Sequence, residues 1–351
     1  MVRDRPTLDT VAQEAGVSRM TVSNAYNRPD QLSAATRERV LAAAARLGYA
    51  GPDPAGRSLR RGRADTIGVV LTESLAYAFT DPGFVSFLRG VADILTVADR
   101  AMLMVPTHAD AHAGLVRDAI VDAFIVCSLT ESDPAVAAVR ARGVPFVTSG
   151  SPKLAGHPWI GVDNLAASAL AAQHLVRLGH RRLAVVTIPP KMPDDAEGTV
   201  VVSRRRFGLR VTGFGAAAAK AGIDPADITV VEAWNNSPDA AAEAIGPLLR
   251  ARRRPTGIFC VSDVLGLGVL SAAADAGLHV PGDVSVVGFD GIDEGASSRP
   301  PLTTISQHLR EQGRAAARAA LDLVEGRKPA RHGIAPELVL RASTAPPPTR
   351  R

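Results

Sequence analysis

From Thr66 onward the chain alternates between short apolar runs rich in β-branched residues and longer Ala- and Leu-rich stretches, and this alternation restricts the fold more than any other feature. The runs are TIGVVL (66–71), AMLMV (101–105), AFIVCSL (123–129), PFVTSG (145–150), RLAVVTI (182–188), DITVVEA (227–233), GIFCVSD (257–263) and VSVVGFD (284–290). Stretches with helical spacing near 84–99, 164–178, 207–221, 238–251, 264–276 and 308–325 separate most of them. A strand that is apolar on both sides needs cover on both sides. Helices lying between consecutive strands supply that cover and make the sheets parallel. The predicted class is therefore α/β, with doubly wound parallel sheets. Eight such strands make either one large sheet or two smaller ones. The extended WIGVDN (159–164) midway reads as a crossover, which favours two lobes with a ligand cleft at the carboxyl ends of their strands.

The first fifty residues follow a different pattern. In TLDTVAQEAGVSRMTVSNAYN, Leu8, Val11, Ala12 and Ala15 recur at three and four residues, the spacing of one helix face. Gly16 breaks the pattern as a turn, Val17 plugs it, and Ser18 can cap a second helix from Arg19 to about Tyr26. Ser33 can cap a third helix with Val40, Leu41, Ala44, Ala45 and Leu47 on its apolar face, ended by Gly48. Helices this short are marginal alone and must pack on one another. A tight turn between the first two gives a helix-turn-helix unit over 1–50. Charge points the same way. Residues 1–63 carry eleven Arg against six Asp and Glu, whereas 64–351 hold 29 of each sign. The whole net charge of +5 thus sits on the segment patterned to meet phosphates. Residues 51–65 are rich in Gly, Pro and Arg and read as a hinge.

Composition excludes several classes. No stretch reaches the eighteen or more apolar residues of a membrane span, and MVRDRPT lacks the apolar core of a signal peptide, so a cytoplasmic location is expected. Cys127 and Cys260 lie in apolar runs and read as buried thiols. GLGVLSAAA (266–274) lacks the third glycine and acidic partner of a dinucleotide loop, and no G-x-S-x-G elbow appears. His108 and His112 stand four apart with no third ligand in view, which reads as a solvated helix start. No enzyme, metal or cofactor is indicated.

A basic helix-turn-helix, a hinge and a two-lobed α/β body, in that order, resemble the LacI/GalR family of bacterial transcription regulators. The first motif carries the resemblance, followed by LSAATRERVLAAAARLGY, VDN (162–164), HLVRLGHRRLAVV (174–186), GDVSVVGFD (282–290) and PLTTI (301–305). It implies a periplasmic-binding-protein-like body of two lobes, about 66–162 with 293–322 and about 163–292 with 323–344, before a disordered tail at 345–351. It also implies a homodimer on a near-palindromic double-stranded DNA operator, repression being the commoner mode, and a small effector in the cleft. PPPTRR shows no heptad of a tetramerising helix, which favours the dimer. The rival is a periplasmic sugar-binding protein of the same two-lobed build, against which stand the basic N-terminal unit and the absent signal peptide.

The resemblance also assigns residues. The N-terminal part of the second helix would enter the major groove, with Arg19 and Met20 at base edges and Asn24 one turn on. Thr7, Ser18, Thr21, Ser23 and Asn27 suit phosphate contact or capping. Met20 has packing inside the unit as its alternative. In the hinge, Leu59 matches a leucine that wedges into the minor groove, with Arg57 along the phosphates. This hinge departs from the pattern by one extra residue between Tyr49 and Leu59 and by Gly56, so that a plain flexible linker stands beside the helical reading. Four cleft positions follow: Arg210 and Asp263 to hydrogen-bond the effector, Trp234 and Phe84 to stack on it. Core packing is the alternative for the two aromatics, and a helix cap for Asp263. Where many relatives carry an aspartate after the fourth strand, this chain has Ser149-Gly150. The segment 188–206 is longer than usual in the family and adds the basic run Arg204–Arg206; by the resemblance it borders the cleft, where it either meets an anionic ligand such as a phosphorylated sugar or, as charge runs usually do, faces solvent. The effector class is a sugar or sugar derivative, with a sugar phosphate or nucleoside open.

Overall fold

The computed structural model describes residues 6–51, 62–71, 74–107, 113–188, 203–329 and 332–349. The chain divides into two compact units, Met1–Asp65 and Thr66–Arg351.

Among the described residues the first unit packs three α-helices, α1 (Leu8–Ala15), α2 (Arg19–Asn27) and α3 (Ala34–Leu47). Each begins at a hydroxyl cap: Thr7, Ser18 and Ser33 accept from the backbone N–H three residues on. Gly16 closes α1 at φ 61°, where its N–H reaches Gln13 O and the Val17 N–H reaches Ala12 O at 3.0 Å. That left-handed turn admits glycine with least strain, and it sets the angle between α1 and α2. The core is Val11, Ala12, Ala15, Val22, Ala25, Val40, Ala43 and Ala44. The third helix turns Val40, Ala43 and Ala44 inward and leaves Leu41 and Leu47 exposed, so its buried face is rotated from the predicted one. Tyr26 and Tyr49 meet edge to face with centroids 6.0 Å apart, fastening the end of α3 to α2.

The described residues of the second unit form two six-stranded sheets. The first has strand order β11-β5-β4-β3-β1-β2, from β1 (Thr66–Leu71), β2 (Ala101–Pro106), β3 (Ala123–Cys127), β4 (Phe146–Ser149), β5 (Trp159–Gly161) and β11 (His332–Gly333). The second has order β12-β10-β9-β8-β6-β7, from β6 (Leu183–Thr187), β7 (Thr229–Glu232), β8 (Gly257–Cys260), β9 (Ser285–Asp290), β10 (Thr303–Ser306) and β12 (Glu337–Val339). All pairings are parallel except β10 with β12. The central strands β3, β6 and β8 are buried end to end and β1 from Ile67 onward, as their continuous apolar runs require. Helices α4 (Leu75–Thr80), α5 (Pro82–Val97), α6 (Ala113–Asp118) and α7 (Pro134–Ala141) belong to the first lobe. Helices α8 (Asn164–Arg177), α9 (Ser203–Lys220), α10 (Pro238–Arg250), α11 (Asp263–Asp275) and α12 (Asp293–Ser297) belong to the second. Helix α13 (Leu309–Val324) returns to pack on α5 and the first sheet.

Two predicted boundaries shift. Residues 293–306 lie in the second lobe rather than the first, because Thr303–Ser306 pairs in parallel with Val287–Asp290. The end of α13 and the strand His332–Gly333 remain in the first lobe, because α13 packs on the first sheet and His332 and Gly333 pair with Ile160 and Gly161. The chain therefore crosses between lobes after Gly161, after Ser306 and after Gly333. The start of the tail is also fixed. Ala345 exchanges hydrogen bonds with Ser285 at 3.0 Å, and its carbonyl lies 2.9 Å from His180 Nε2. Ala345 is thus part of the second lobe rather than of a disordered end.

The closest helix contact joins α5 to α13. A Cβ on Gly90 would lie 1.9 Å from Arg310 O, and one on Gly313 2.1 Å from Phe87 O, so backbone meets backbone on both sides. At the rim of this contact Asp93 receives hydrogen bonds from Arg310 (2.9 and 3.0 Å) and Arg314 (2.8 Å), which hold its carboxyl down to about 2. Cys127 and Cys260 are buried thiols, and burial pushes the Cys260 thiol far up. Among the described residues no helix is long and apolar enough to cross a membrane.

Candidate DNA-reading helix and interlobe cavity

The second helix of the N-terminal unit presents a face that its own core does not use. Met20 is 69% exposed, so it does not serve as core filler. Arg19 is exposed beside it, with one guanidinium nitrogen 3.7 Å from Asp9 across the turn. Asn24 follows one turn on, half-buried. The flanking polar residues are engaged locally. Ser18 caps the helix, and its hydroxyl lies 2.9 Å from that of Thr21. Asn27 donates to the Ser23 carbonyl at 2.9 Å and to its hydroxyl at 3.3 Å. The Thr7 amide donates to Thr10 Oγ1 at 2.8 Å, and the Thr7 hydroxyl accepts from the Thr10 amide. Arg57 and Leu59 lie outside the described residues, as do His108 and His112.

A cavity with about 900 Å³ of empty space, its open mouth included, lies between the two lobes of the second unit. It sits where β1, β3, β4, β9 and β10 end, at Leu71, Cys127, Ser128, Ser149, Gly150, Asp290 and Gln307. Parallel sheets place their functional groups there, because the loops and helix starts that follow each strand converge at that edge. Helix starts supply Asp81, Gly83 and Phe84 from α5 and Asn164 from α8, while Arg210 and Phe207 come from α9. The polar groups are amides, hydroxyls and a few charges; the apolar ones are mostly aromatic rings.

Arg210 is the most constrained of these groups. It is 1% exposed, and its Nε donates to Asn164 Oδ1 at 2.9 Å. One terminal nitrogen donates to the Val261 carbonyl and stands 3.4 Å from Asp290 Oδ1. The guanidinium carbon lies 3.7 Å from the centroid of the Phe289 ring. Asp290 also accepts from Gln307 Nε2, and the Gln307 carbonyl accepts from Gln312 Nε2 of α13 at 2.7 Å. The Arg210–Asp290 pair is thereby hydrogen-bonded to two crossovers, through Asn164 and through Gln307. Three non-glycine residues around the cavity have positive φ: Ser128 (59°), Asp290 (128°) and His308 (52°). Such backbone needs support from its surroundings and concentrates at functional sites. Across the cleft, Asn236 Nδ2 of the second lobe donates to Tyr77 Oη of the first at 3.3 Å, and Ser262 donates to Asn236 at 2.6 Å.

The four cleft residues expected from the sequence divide evenly. Arg210 and Phe84 line the cavity, Phe84 stacked on Phe87 with centroids 5.9 Å apart. Asp263 and Trp234 do not. Trp234 is 52% exposed, and its indole N–H donates to Glu243 at 3.3 Å. Asp263 is fully buried at the start of α11. Its Oδ2 accepts from the Gly291 and Ile292 amides at 2.7 and 2.9 Å, and its Oδ1 from Thr304 Oγ1 at 2.5 Å. Burial pushes this carboxyl above the usual range, against those hydrogen bonds and the nearby Arg341. The carboxylate facing the cavity is Asp290 of β9; Asp263 lies behind it and holds the turn at 290–292. Asp290, Asn164, Asn236, Tyr77, Asp81 and Gln307 were missed. The position of Asp290 at the end of an apolar strand was the signal that could have found it.

Residues 7–51 match the family described as bacterial regulatory proteins, lacI family, and residues 172–344 match the periplasmic binding protein-like domain. The chain is 38% identical to the HTH-type transcriptional regulator Rv3575c of Mycobacterium tuberculosis, over 99% of this chain and 98% of that one. Two solved structures share the fold over 97% of this chain and 100% of theirs. One is a transcriptional regulator CelR–cellobiose complex, at 30% identity and a TM-score of 0.67. The other is a lac repressor dimer bound to operator and the anti-inducer ONPF, at 27% identity and a TM-score of 0.78.

Proposed function

The chain belongs to the lacI family of bacterial regulatory proteins, and from that premise we propose that it is a repressor that binds a near-palindromic operator as a dimer and releases or tightens its hold when a sugar-like effector enters the interlobe cavity. The relatives are transcriptional regulators, and the chain is not an enzyme. The observation that carries the effector half is the buried Arg210, fixed by Asp290 and Asn164 at the wall of a cavity between lobes. A buried guanidinium among amides, hydroxyls and rings suits a ligand with hydroxyls on its edge and C–H groups on its face. The cellobiose of one structural neighbour and the ribose of another support that class.

The DNA half rests on exposed Arg19 and Met20 at the start of α2. Arg19 would read guanine, Met20 a thymine methyl and Asn24 adenine, with Thr7, Ser18, Thr21, Ser23 and Asn27 set against phosphates or holding the helix, and Arg57 and Leu59 in the minor groove. Two heads carried by a symmetric dimer would make the operator symmetric in turn. An effector that prefers one arrangement of the lobes shifts the population of DNA-competent dimers. Such a regulator acts in the cytoplasm, where its operator is.

The test is a titration of operator duplex and half-site duplex, with and without sugars, followed by fluorescence anisotropy. Two chains per full duplex, weak half-site binding and a sugar-dependent shift are expected. One chain bound equally well to either duplex would overturn the dimer, and no shift with any sugar would overturn the effector.

A further inference from the structure

The charge inventory of the cavity separates two ligand classes that share one carbon skeleton. The described lining residues include one cation, Arg210, two carboxylates, Asp81 and Asp290, and no lysine or histidine. The cation is already engaged: Asp290 neutralises it at 3.4 Å, Asn164 and the Val261 carbonyl take its N–H groups, and Phe289 covers its flat face. Helix starts usually attract phosphate through their unpaired N–H groups. Here the chain's own carboxylates occupy that role. Asp81 caps α5 by accepting from the Gly83 amide at 3.0 Å, and Asp163 caps α8 by accepting from the Leu165 and Ala166 amides at 2.9 and 3.1 Å. What remains is a set of neutral donors and acceptors, Asn164, Asn236, Gln307, Gln312, Ser128 and Ser149, facing the rings of Phe84 and Phe207.

We propose that the cavity takes an uncharged polyhydroxylated ligand and rejects the phosphate monoester of that same ligand, and that Asp81 and Asp290 impose the difference. This rests on the reading of the cavity as the effector site and deepens it. Hydroxyls can donate to the two carboxylates while accepting from the amides. A phosphate monoester brings a charge of about −1.5 to −2 and no donor of comparable strength against described lining residues that together already carry one negative charge. At the few-ångström separations inside such a cavity, like-charge repulsion amounts to roughly tenfold or more in affinity.

The experiment is isothermal titration of the full-length chain with matched pairs: D-ribose and ribose 5-phosphate, D-glucose and glucose 6-phosphate, cellobiose and its monophosphate, adenosine and its 5′-monophosphate. At least one uncharged member should bind, with its phosphate weaker by about tenfold or more. Asp81→Asn keeps a capping side chain and should narrow that gap; Asp290→Asn should narrow it further by releasing the charge of Arg210. A phosphate ester that binds as well as its parent, or better, overturns the inference and leaves the effector reading standing. If no member of any pair binds, the effector reading itself fails and the inference falls with it.

Discussion

Replacing Asp263 separates two roles that the same position could play. In the structure this carboxylate satisfies the Gly291 and Ile292 amides and the Thr304 hydroxyl, all inside the second lobe. Asp263→Ala leaves those three groups unpaired. A buried polar group without a partner costs about 1–3 kcal/mol, so the loss comes to roughly 3–6 kcal/mol after partial relaxation. For a chain of this size that corresponds to a fall in Tm on the order of 10 °C. Asp263→Asn behaves differently. The carboxamide oxygen can accept from both amides while its NH2 donates to Thr304, and the buried charge disappears, so a change of about 1 kcal/mol or less is expected. Because Asp263 stands behind Asp290 rather than in the cavity, the asparagine variant should also keep its effector response. Calorimetric melting and effector-dependent operator binding are measured on both variants. An alanine variant that melts within about 2 °C of the parent would refute the turn-holding role. An asparagine variant that folds normally but no longer responds to effector would put Asp263 on the ligand instead.

Other perturbations test other parts of the structure. Gly313→Ala forces a Cβ to within 2.1 Å of Phe87 O, so α5 and α13 must separate; a loss of about 1–3 kcal/mol in urea unfolding is expected, and an unchanged midpoint would deny the close contact. Trp234→Ala should leave effector affinity unchanged, because Trp234 lies outside the cavity; a clear loss would return it to the site. Arg19→Ala and Met20→Ala should each relax base preference at particular operator positions, whereas equal weakening on all sequences would make both backbone contacts. Burial lowers the pKa of His174 and His180, so the folded chain favours their neutral forms. The stability they confer is complete above the unfolded value of about 6.5 and is lost as pH falls below it, by up to about 1.4 kcal/mol per pH unit for each histidine. Tm should therefore drop between pH 7 and pH 5, less steeply in His180→Gln; equal slopes in parent and variant would remove His180 as a cause.

The elements most legible in the sequence were those whose signal is long or chemically singular. The β-branched runs at 66–71, 101–105 and 284–290 became strands within a residue or so of their predicted limits, because buried central strands leave no polar face to blur the pattern. The caps at Ser18 and Ser33 and the Gly16 turn were equally plain, each being one residue with one geometric duty. Short elements were not. Helices Leu75–Thr80, Ala113–Asp118 and Pro134–Ala141 span too few turns to establish a period. The strand Thr303–Ser306 carries mostly threonine and serine, and nothing local tells which sheet it joins. The cavity was legible in outline, since strand ends converge there. Which of two nearby carboxylates faces it was not. Asp263 and Asp290 both follow apolar strands, and only the backbone turn at 290–292 decides that Asp290 points to Arg210 while Asp263 is closed in beneath it.

The most direct measurement of the central claim is selection of bound sequences from random duplex DNA by the full-length chain, repeated with free sugars, nucleosides and their phosphates. The account requires a palindromic site whose recovery changes with an uncharged compound and stops changing when Arg210 is replaced by alanine. Recovery of no enriched sequence under any condition, or of a site indifferent to every compound, would contradict it.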